Sequence, residues 1–389
     1  MLKKLLLLAI PFCVHAQDYQ KIHAKAILVD SHNDILTACM EKKVSMDNDL
    51  KGKTHSDLKR FKEGGVDVQL FSVWCDGNKE KPYAWANREM DTLDAVISRN
   101  PDKIVIVKNY KELKHAVKDK KLAAMFGVEG GHMIEDNLDN LDKLYARGTR
   151  YMTLTWNNST AWATSAMAET TKKDSLSRTH KGLTDFGKQV VKRMNELGMM
   201  VDLSHVGEQT FWDAINTTTK PVIVSHSNAY TLCPIFRNLK DDQIVAVGKN
   251  GGVIDLNFYS GFIDSTSKNK ETRFIASHAK ELDSLKKSGV QAEYAITMLS
   301  EKYVSEAQAT RAPLSMLLDH LDYIVKLAGV DHVGLGSDFD GINAPPQQLD
   351  DVTTYPLITK SLLERGYHKK DITKILGGNI LRVLKANEK

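Results

Sequence analysis

The feature that most constrains this chain is an alternation. Eight short runs rich in apolar and β-branched residues recur, and longer amphipathic stretches separate them. The runs are Ala26–Asp30, Val66–Trp74, Leu122–Val128, Thr149–Thr155, Met199–Leu203, Pro221–Ser225, Gly252–Asn257 and His332–Gly336. Between them lie helical patterns such as Tyr83–Ser98, Leu138–Arg147, Leu183–Leu197, Glu208–Ile215 and Pro313–Leu327. Strands spaced by helices predict an α/β fold with a parallel sheet. Eight is the count that closes a (β/α)8 barrel of the TIM type, and 389 residues suit one with insertions. An open, doubly wound sheet is the competing architecture. It is weakened because no Gly-x-Gly-x-x-Gly turn follows the first run.

Two stretches leave the alternation. Gly261–Ala312 is polar, rich in Lys and Ser, and too long for a simple connection. It predicts an inserted helical subdomain, or a lid over one barrel mouth. Lys369–Lys389 predicts a closing helix interrupted at Gly377-Gly378. No internal repeat and no linker rich in Gly, Pro or Ser divides the rest, so residues 17–389 are expected to form a single domain.

Composition narrows the function. With 42% hydrophobic and 26% charged residues the chain is of ordinary globular type, and a net charge of +4 gives no nucleic-acid footprint. Residues 1–16 run from Lys3-Lys4 through an apolar stretch to Val14-His15-Ala16, the order of a secretory signal cleaved after Ala16. The apolar run is too short to span a bilayer. The expectation is therefore an exported, soluble protein, periplasmic or secreted. Cys39, Cys75 and Cys233 would remain after cleavage, and their spacing fits no zinc-finger pattern.

The chemistry gathers where the runs end. The first run leads into His32 and Asp34, and residues two apart on a strand share a side. Others lead into Glu129 within Gly127-Val128-Glu129-Gly130-Gly131-His132, into His205 and His226, and into Asp338 within Asp338-Phe339-Asp340-Gly341. In a barrel all these ends open on one mouth, where barrel enzymes keep their chemistry. Bringing so many ionisable groups together is costly unless a metal compensates. Five ligand candidates exceed the needs of one tetrahedral zinc and suit two metals with a carboxylate between them. Such a pair can acidify a water and polarise a carbonyl, which points to hydrolysis of an amide or ester.

These residues carry a resemblance. The chain resembles the membrane (renal-type) dipeptidases, zinc metallopeptidases with a barrel of the amidohydrolase kind. The likeness runs from Val29-Asp30-Ser31-His32-Asn33-Asp34 through Val201-Asp202-Leu203-Ser204-His205, Ser225-His226-Ser227, Arg237-Asn238 and Asn257-Phe258-Tyr259 to Gly377-Gly378-Asn379. It implies that His32 and Asp34 hold one zinc, that His205 and His226 hold another, and that Glu129 bridges them. It implies Asp338 as a proton shuttle, Arg237 as the partner of the substrate carboxylate, and Tyr259 in the pocket lining. The substrate would be a dipeptide, and the family precedent is a homodimer. No apolar tail follows Lys389, so no lipid anchor is expected.

One departure bears on substrate. Where the family has Leu-Thr-His, this chain has Leu154-Thr155-Trp156. An indole can donate a hydrogen bond but cannot accept a proton. Trp156 thus keeps a second reading open, a binuclear amidohydrolase acting on a lactone, an N-acyl amino acid or another small amide. A third reading, a metal-bound binding protein without turnover, conflicts with retention of Asp338.

Overall fold

The computed structural model describes residues 14–171 and 180–389. The first thirteen residues of the expected signal lie outside the described residues, and its last three open a helix, Val14–Lys25. Nine strands follow: β1 (Leu28–Asn33), β2 (Val66–Trp74), β3 (Ile104–Ile106), β4 (Leu122–Glu129), β5 (Thr149–Thr153), β6 (Met200–Asp202), β7 (Ile223–Val224), β8 (Val253–Leu256) and β9 (Val333–Leu335). Eight pair in parallel in the order β1-β2-β4-β5-β6-β7-β8-β9. The ends of that path meet beyond the strands. The Asp338 N–H donates to the His32 carbonyl at 3.0 Å, and the Asp34 N–H donates to the Phe339 carbonyl at 2.8 Å. The result is a nearly closed (β/α)8 barrel.

Each of the eight sequence runs overlaps one barrel strand. The ninth strand, β3, was not expected, because three residues are too few to display a period. It pairs with Leu122–Ala124, whereas β5 first meets β4 at Phe126. β3 therefore occupies the length of the β4 edge that β5 does not reach.

Strand alternation divides the core. Val29, Val68, Leu70, Ala123, Met125, Tyr151, Met200, Ile223 and Val253 pack inside the barrel. Their neighbours in the chain, such as Leu28, Phe71, Ala124, Phe126, Met152 and Ile254, pack outward in the cluster shared with the helices. The floor of the barrel is sealed by the last helix, Asn379–Asn387, whose Ile380, Leu381, Val383 and Leu384 join the inner cluster. A tight π turn, Lys374–Gly378, precedes that helix. A Cβ on Gly377 would lie 2.3 Å from the Ile27 carbonyl oxygen, so only glycine lets the turn seat beneath β1. Higher in the barrel the inward positions turn polar, as at Ser72, Glu129, Thr153 and Asp202.

The stretch after β8 is helical, with segments Ser260–Ile263, Ser265–Ser277, Ala279–Lys287, Ala292–Lys302 and Val304–Gln308. Phe274, Leu282, Ala295 and Leu299 give it a small core of its own. The Tyr294 hydroxyl ties it to the barrel by donating to the Asp340 carbonyl at 3.1 Å. Cys39, Cys75 and Cys233 are buried free thiols. Among the described residues no helix is long and apolar enough to cross a membrane.

Candidate metal centre

The strand ends deliver their side chains to one point. Glu129 is the last residue of β4, and His205, His226 and Asp338 follow β6, β7 and β9 within three residues. His32 stands near the end of β1, where the register with β2 shifts between Asp30 and Asn33. The pair is therefore not two alternate positions of a regular strand. Asp34 lies just past β1, at the entry to the helix Ile35–Lys42. The irregularity still brings His32 Nε2 to 3.4 Å from Asp34 Oδ2. His205 and Asp338 both have φ of 62°, a left-handed backbone uncommon outside glycine and found most often at functional sites.

Glu129 stands at the middle. Its Oε2 is 3.4 Å from His32 Nε2, and its Oε1 is 2.8 Å from His205 Nε2 and 3.3 Å from His226 Nε2. One oxygen thus faces each side of the cluster. The hydrogen bonds behind the rings fix what the Nε2 atoms can do. His205 Nδ1 lies 3.1 Å from the Asn157 amide oxygen, so that nitrogen carries the proton. His226 Nδ1 lies 2.8 Å from Ser225 Oγ, and that hydroxyl donates to Asp202 Oδ2 at 2.7 Å. Both imidazoles therefore present bare Nε2 lone pairs, only 3.1 Å apart and beside a carboxylate. His32 Nε2 and Asp34 Oδ1 are buried without a hydrogen-bond partner. Two bare imidazole nitrogens that converge beside a buried carboxylate are the signature of a cation site.

Electrostatics divide the three imidazoles: burial works against a charge on His32, but the neighbouring Tyr151, Glu129 and Asp34 raise it well above its usual range. Burial lowers His226 well below the usual imidazole range, with the His32 charge adding to the effect. His205 falls to about 4 through burial and the nearby Arg237 guanidinium. Burial alone would raise Glu129, but the His32 charge holds it well below the ordinary carboxyl value. Asp338 goes the other way. Burial, with Asp34 and Glu129 close by, pushes it well above the usual range despite His32. Asn257 Nδ2 donates to Asp338 Oδ2 at 2.8 Å, leaving Oδ1 at 3.9 Å from His32 Nε2. A Cβ on Gly341 would come within 2.3 Å of Asp34 and 2.7 Å of Asp338, so bare backbone passes between the two carboxylates.

The centre opens into a cavity of about 890 Å³ that Arg237, Tyr259 and Trp156 also line. That volume is at the upper end of small-molecule sites. Arg237 is 5% exposed and, among the described residues, its hydrogen bonds reach only Ser227 Oγ at 3.4 Å and the His226 carbonyl at 3.3 Å. Asp241 and Asp242, the acidic residues nearest to it in the chain, are engaged elsewhere. Asp241 receives Thr231 and Tyr323, and Asp242 receives the Gln243 N–H. Trp156 is half-buried, edge-on to Trp74 at 5.1 Å between ring centroids and 6.3 Å from the His205 ring. The Tyr259 hydroxyl donates to Glu271.

Other candidates stand apart. His132 Nε2 lies 3.2 Å from the Cys75 carbonyl, and His320 links the Ala229 N–H to the Ile263 carbonyl. Both hold loops rather than the centre. Sequence reasoning missed Tyr151, whose hydroxyl is 2.7 Å from His32 Nδ1, and the supports Asn157, Ser225 and Asn257. The strand alternation could have found Tyr151. It points inward opposite Gly127, where a Cβ would meet its ring at 1.9 Å.

A parallel barrel whose carboxyl-terminal mouth gathers three imidazoles and three carboxylates is the architecture of a metal-dependent hydrolase. The chain belongs to the membrane dipeptidase family, peptidase family M19, whose model matches residues 16–389, and it is thus a peptide-bond hydrolase of the metallopeptidase kind. Solved structures share the fold. A probable dipeptidase, PvdM, from Pseudomonas aeruginosa is 23% identical, with a TM-score of 0.76 over 97% of this chain and 99% of that one. A metallopeptidase from Rhodobacter sphaeroides, liganded with a phosphinate mimic of the dipeptide L-Ala-D-Ala, is 22% identical, with a TM-score of 0.71 over 93% and 100%. An amidohydrolase from Pseudomonas aeruginosa is 19% identical, with a TM-score of 0.71 over 95% and 98%.

Proposed function

We propose that the chain is an exported zinc dipeptidase that cleaves the peptide bond of short substrates with a free carboxyl terminus. The observation that carries this reading is Arg237. A buried guanidinium without a carboxylate partner lines the same cavity as the metal centre, and such a group asks for a carboxylate, which a planar fork binds best. His32 and Asp34 would hold one ion, His205 and His226 the other, and Glu129, with one oxygen toward each side, would bridge them. Ions there supply an acidified water and polarise the scissile carbonyl.

The remaining work falls to the chain. Arg237 fixes the substrate carboxylate and so places the scissile bond. Asp338 is held by Asn257 with one oxygen free toward the centre, placed to take a proton and return it to the departing amine. Its raised affinity for protons suits that exchange. Export rests on the signal-like residues 1–16, and the family match begins at residue 16. Residues 17–389 would then be the single mature domain.

The test is metal content together with hydrolysis of Ala-Ala by the mature chain, Asp338→Asn, Arg237→Met and Trp156→His. The expected result is about two zinc ions per chain and cleavage by the parent protein. Asp338→Asn should lose about 10²–10⁴ in kcat with metal retained. Arg237→Met should lose at least about 30-fold in kcat/KM. A parent chain that binds no zinc would overturn the reading. Trp156 favours one alternative, hydrolysis of a lactone, an N-acyl amino acid or another small amide. That alternative gains if zinc is bound but Ala-Ala is cleaved only by Trp156→His.

A further inference from the structure

One wall of the cavity is built from the inserted segment rather than from the barrel. The helix Ser265–Ser277 sends Lys268 and Glu271 into the cavity that also holds the metal centre. Glu271 is 3% exposed, accepts the Tyr259 hydroxyl, and lies 3.0 Å from Lys268 Nζ. Lys268 Nζ is also 3.3 Å from the Tyr259 hydroxyl. Neither residue ligates, shuttles a proton or holds the substrate terminus in the reading above.

A continuous surface joins this cluster to Arg237. The Arg237 guanidinium sits 5.4 Å from the centre of the Phe262 ring, and Phe262 meets the Tyr259 ring edge-on at 4.7 Å. The Lys268 ammonium in turn lies 5.4 Å from the Tyr259 ring centre. Arg237, Phe262, Tyr259 and Lys268 thus follow one another along the cavity wall, and a substrate whose carboxylate is held by Arg237 would send its side chain along that path toward Lys268.

The cluster also has a definite polarity. The facing oxygen of Glu271 is taken by Tyr259 and Lys268, so it has little left to offer a donor. An ammonium has three N–H groups, and the two contacts of Lys268 leave one over. Burial pushes the Glu271 carboxyl up to about 7 and lowers the Lys268 ammonium from its ordinary value, so an anion arriving beside Lys268 would favour the charge that burial works against. The unused capacity of the wall is thus a cationic donor, and the complementary group is an anion.

We propose that Lys268, set by Glu271 and Tyr259, forms a side-chain subsite selecting dipeptides whose carboxyl-terminal residue is acidic. The proposal rests on the dipeptidase reading and deepens it by naming the substrate class. Its test compares kcat/KM for Ala-Glu and Ala-Ala on the zinc-loaded parent, on Lys268→Met and on Lys268→Glu. Lys268 is an exposed residue, so neither change disturbs a core. The expected result is a parent preference for Ala-Glu, carried mainly in KM. The Ala-Glu to Ala-Ala ratio should fall about 10- to 100-fold in Lys268→Met. Lys268→Glu should turn the preference toward Ala-Lys. Equal ratios in parent and Lys268→Met, with Ala-Ala still cleaved, would overturn the subsite and leave the dipeptidase reading standing. Cleavage of neither dipeptide would overturn both.

Discussion

Ser225 binds no candidate metal, yet it decides how His226 can bind one. Its hydroxyl accepts from His226 Nδ1 and donates to the buried Asp202 carboxylate, so the ring is held in one tautomer with Nε2 bare. Such orienting bonds typically govern metal affinity by 10- to 100-fold. Ser225→Ala should therefore weaken zinc binding by about 10- to 100-fold in a chelator competition. The zinc-free protein should also melt somewhat earlier, because the alanine leaves the buried His226 N–H and one Asp202 oxygen short of a partner. A variant that melts earlier but keeps full zinc affinity would show that the hydroxyl is only packing. The candidate ligands were legible in the sequence because each follows an apolar run, and chain order alone places strand ends on one mouth. Their supports were not. Whether Asn157 reaches His205, or Tyr151 reaches His32, depends on distances between strands that no local pattern encodes.

At the scale of elements, the runs located every barrel strand but overstated the shortest. Pro221–Ser225 reads as a five-residue strand, and only Ile223–Val224 pairs as one. The rest of that run turns toward the centre to present His226. β3 escaped notice for the opposite reason, since Ile104–Ile106 is defined by an open edge of β4 and not by a pattern of its own. The entry to β1 carries a measurable cost of burial. The Leu28 N–H donates to Asp67 Oδ2 at 2.9 Å, and burial raises that carboxyl to about 6. The native state then keeps the proton to higher pH than the unfolded chain. Any stability from this group is complete below the unfolded value near ~4 and is lost as pH rises through about 6. Asp67→Asn should match the parent protein in urea unfolding at pH 3.5. It should exceed the parent by about 1–2 kcal/mol at pH 7. A constant difference across that range would assign the effect to packing.

Over the whole molecule, the barrel and its inserted helices enclose a cavity with the candidate metal centre at its base. Because two bare imidazole nitrogens converge there beside a buried carboxylate, ions bound to the native state should stabilise it by mass action. Adding excess chelator should lower Tm, and zinc should restore it in proportion to the logarithm of its free concentration. A Tm indifferent to both would count against a site of two bound ions. The general architecture was legible because alternation is repeated eight times and errors in one run do not alter the count. The wall formed by Lys268 and Glu271 was not, since the insertion carries no period that says which face it turns to the barrel. The last helix, Asn379–Asn387, has a further consequence. It supplies the floor of a barrel whose first strand was made more than three hundred residues earlier. The inner core closes only when that helix docks, so the barrel stays open until residues from its far end arrive. In the exported chain proposed above, that late seal would keep the polypeptide fit to be threaded until it is across.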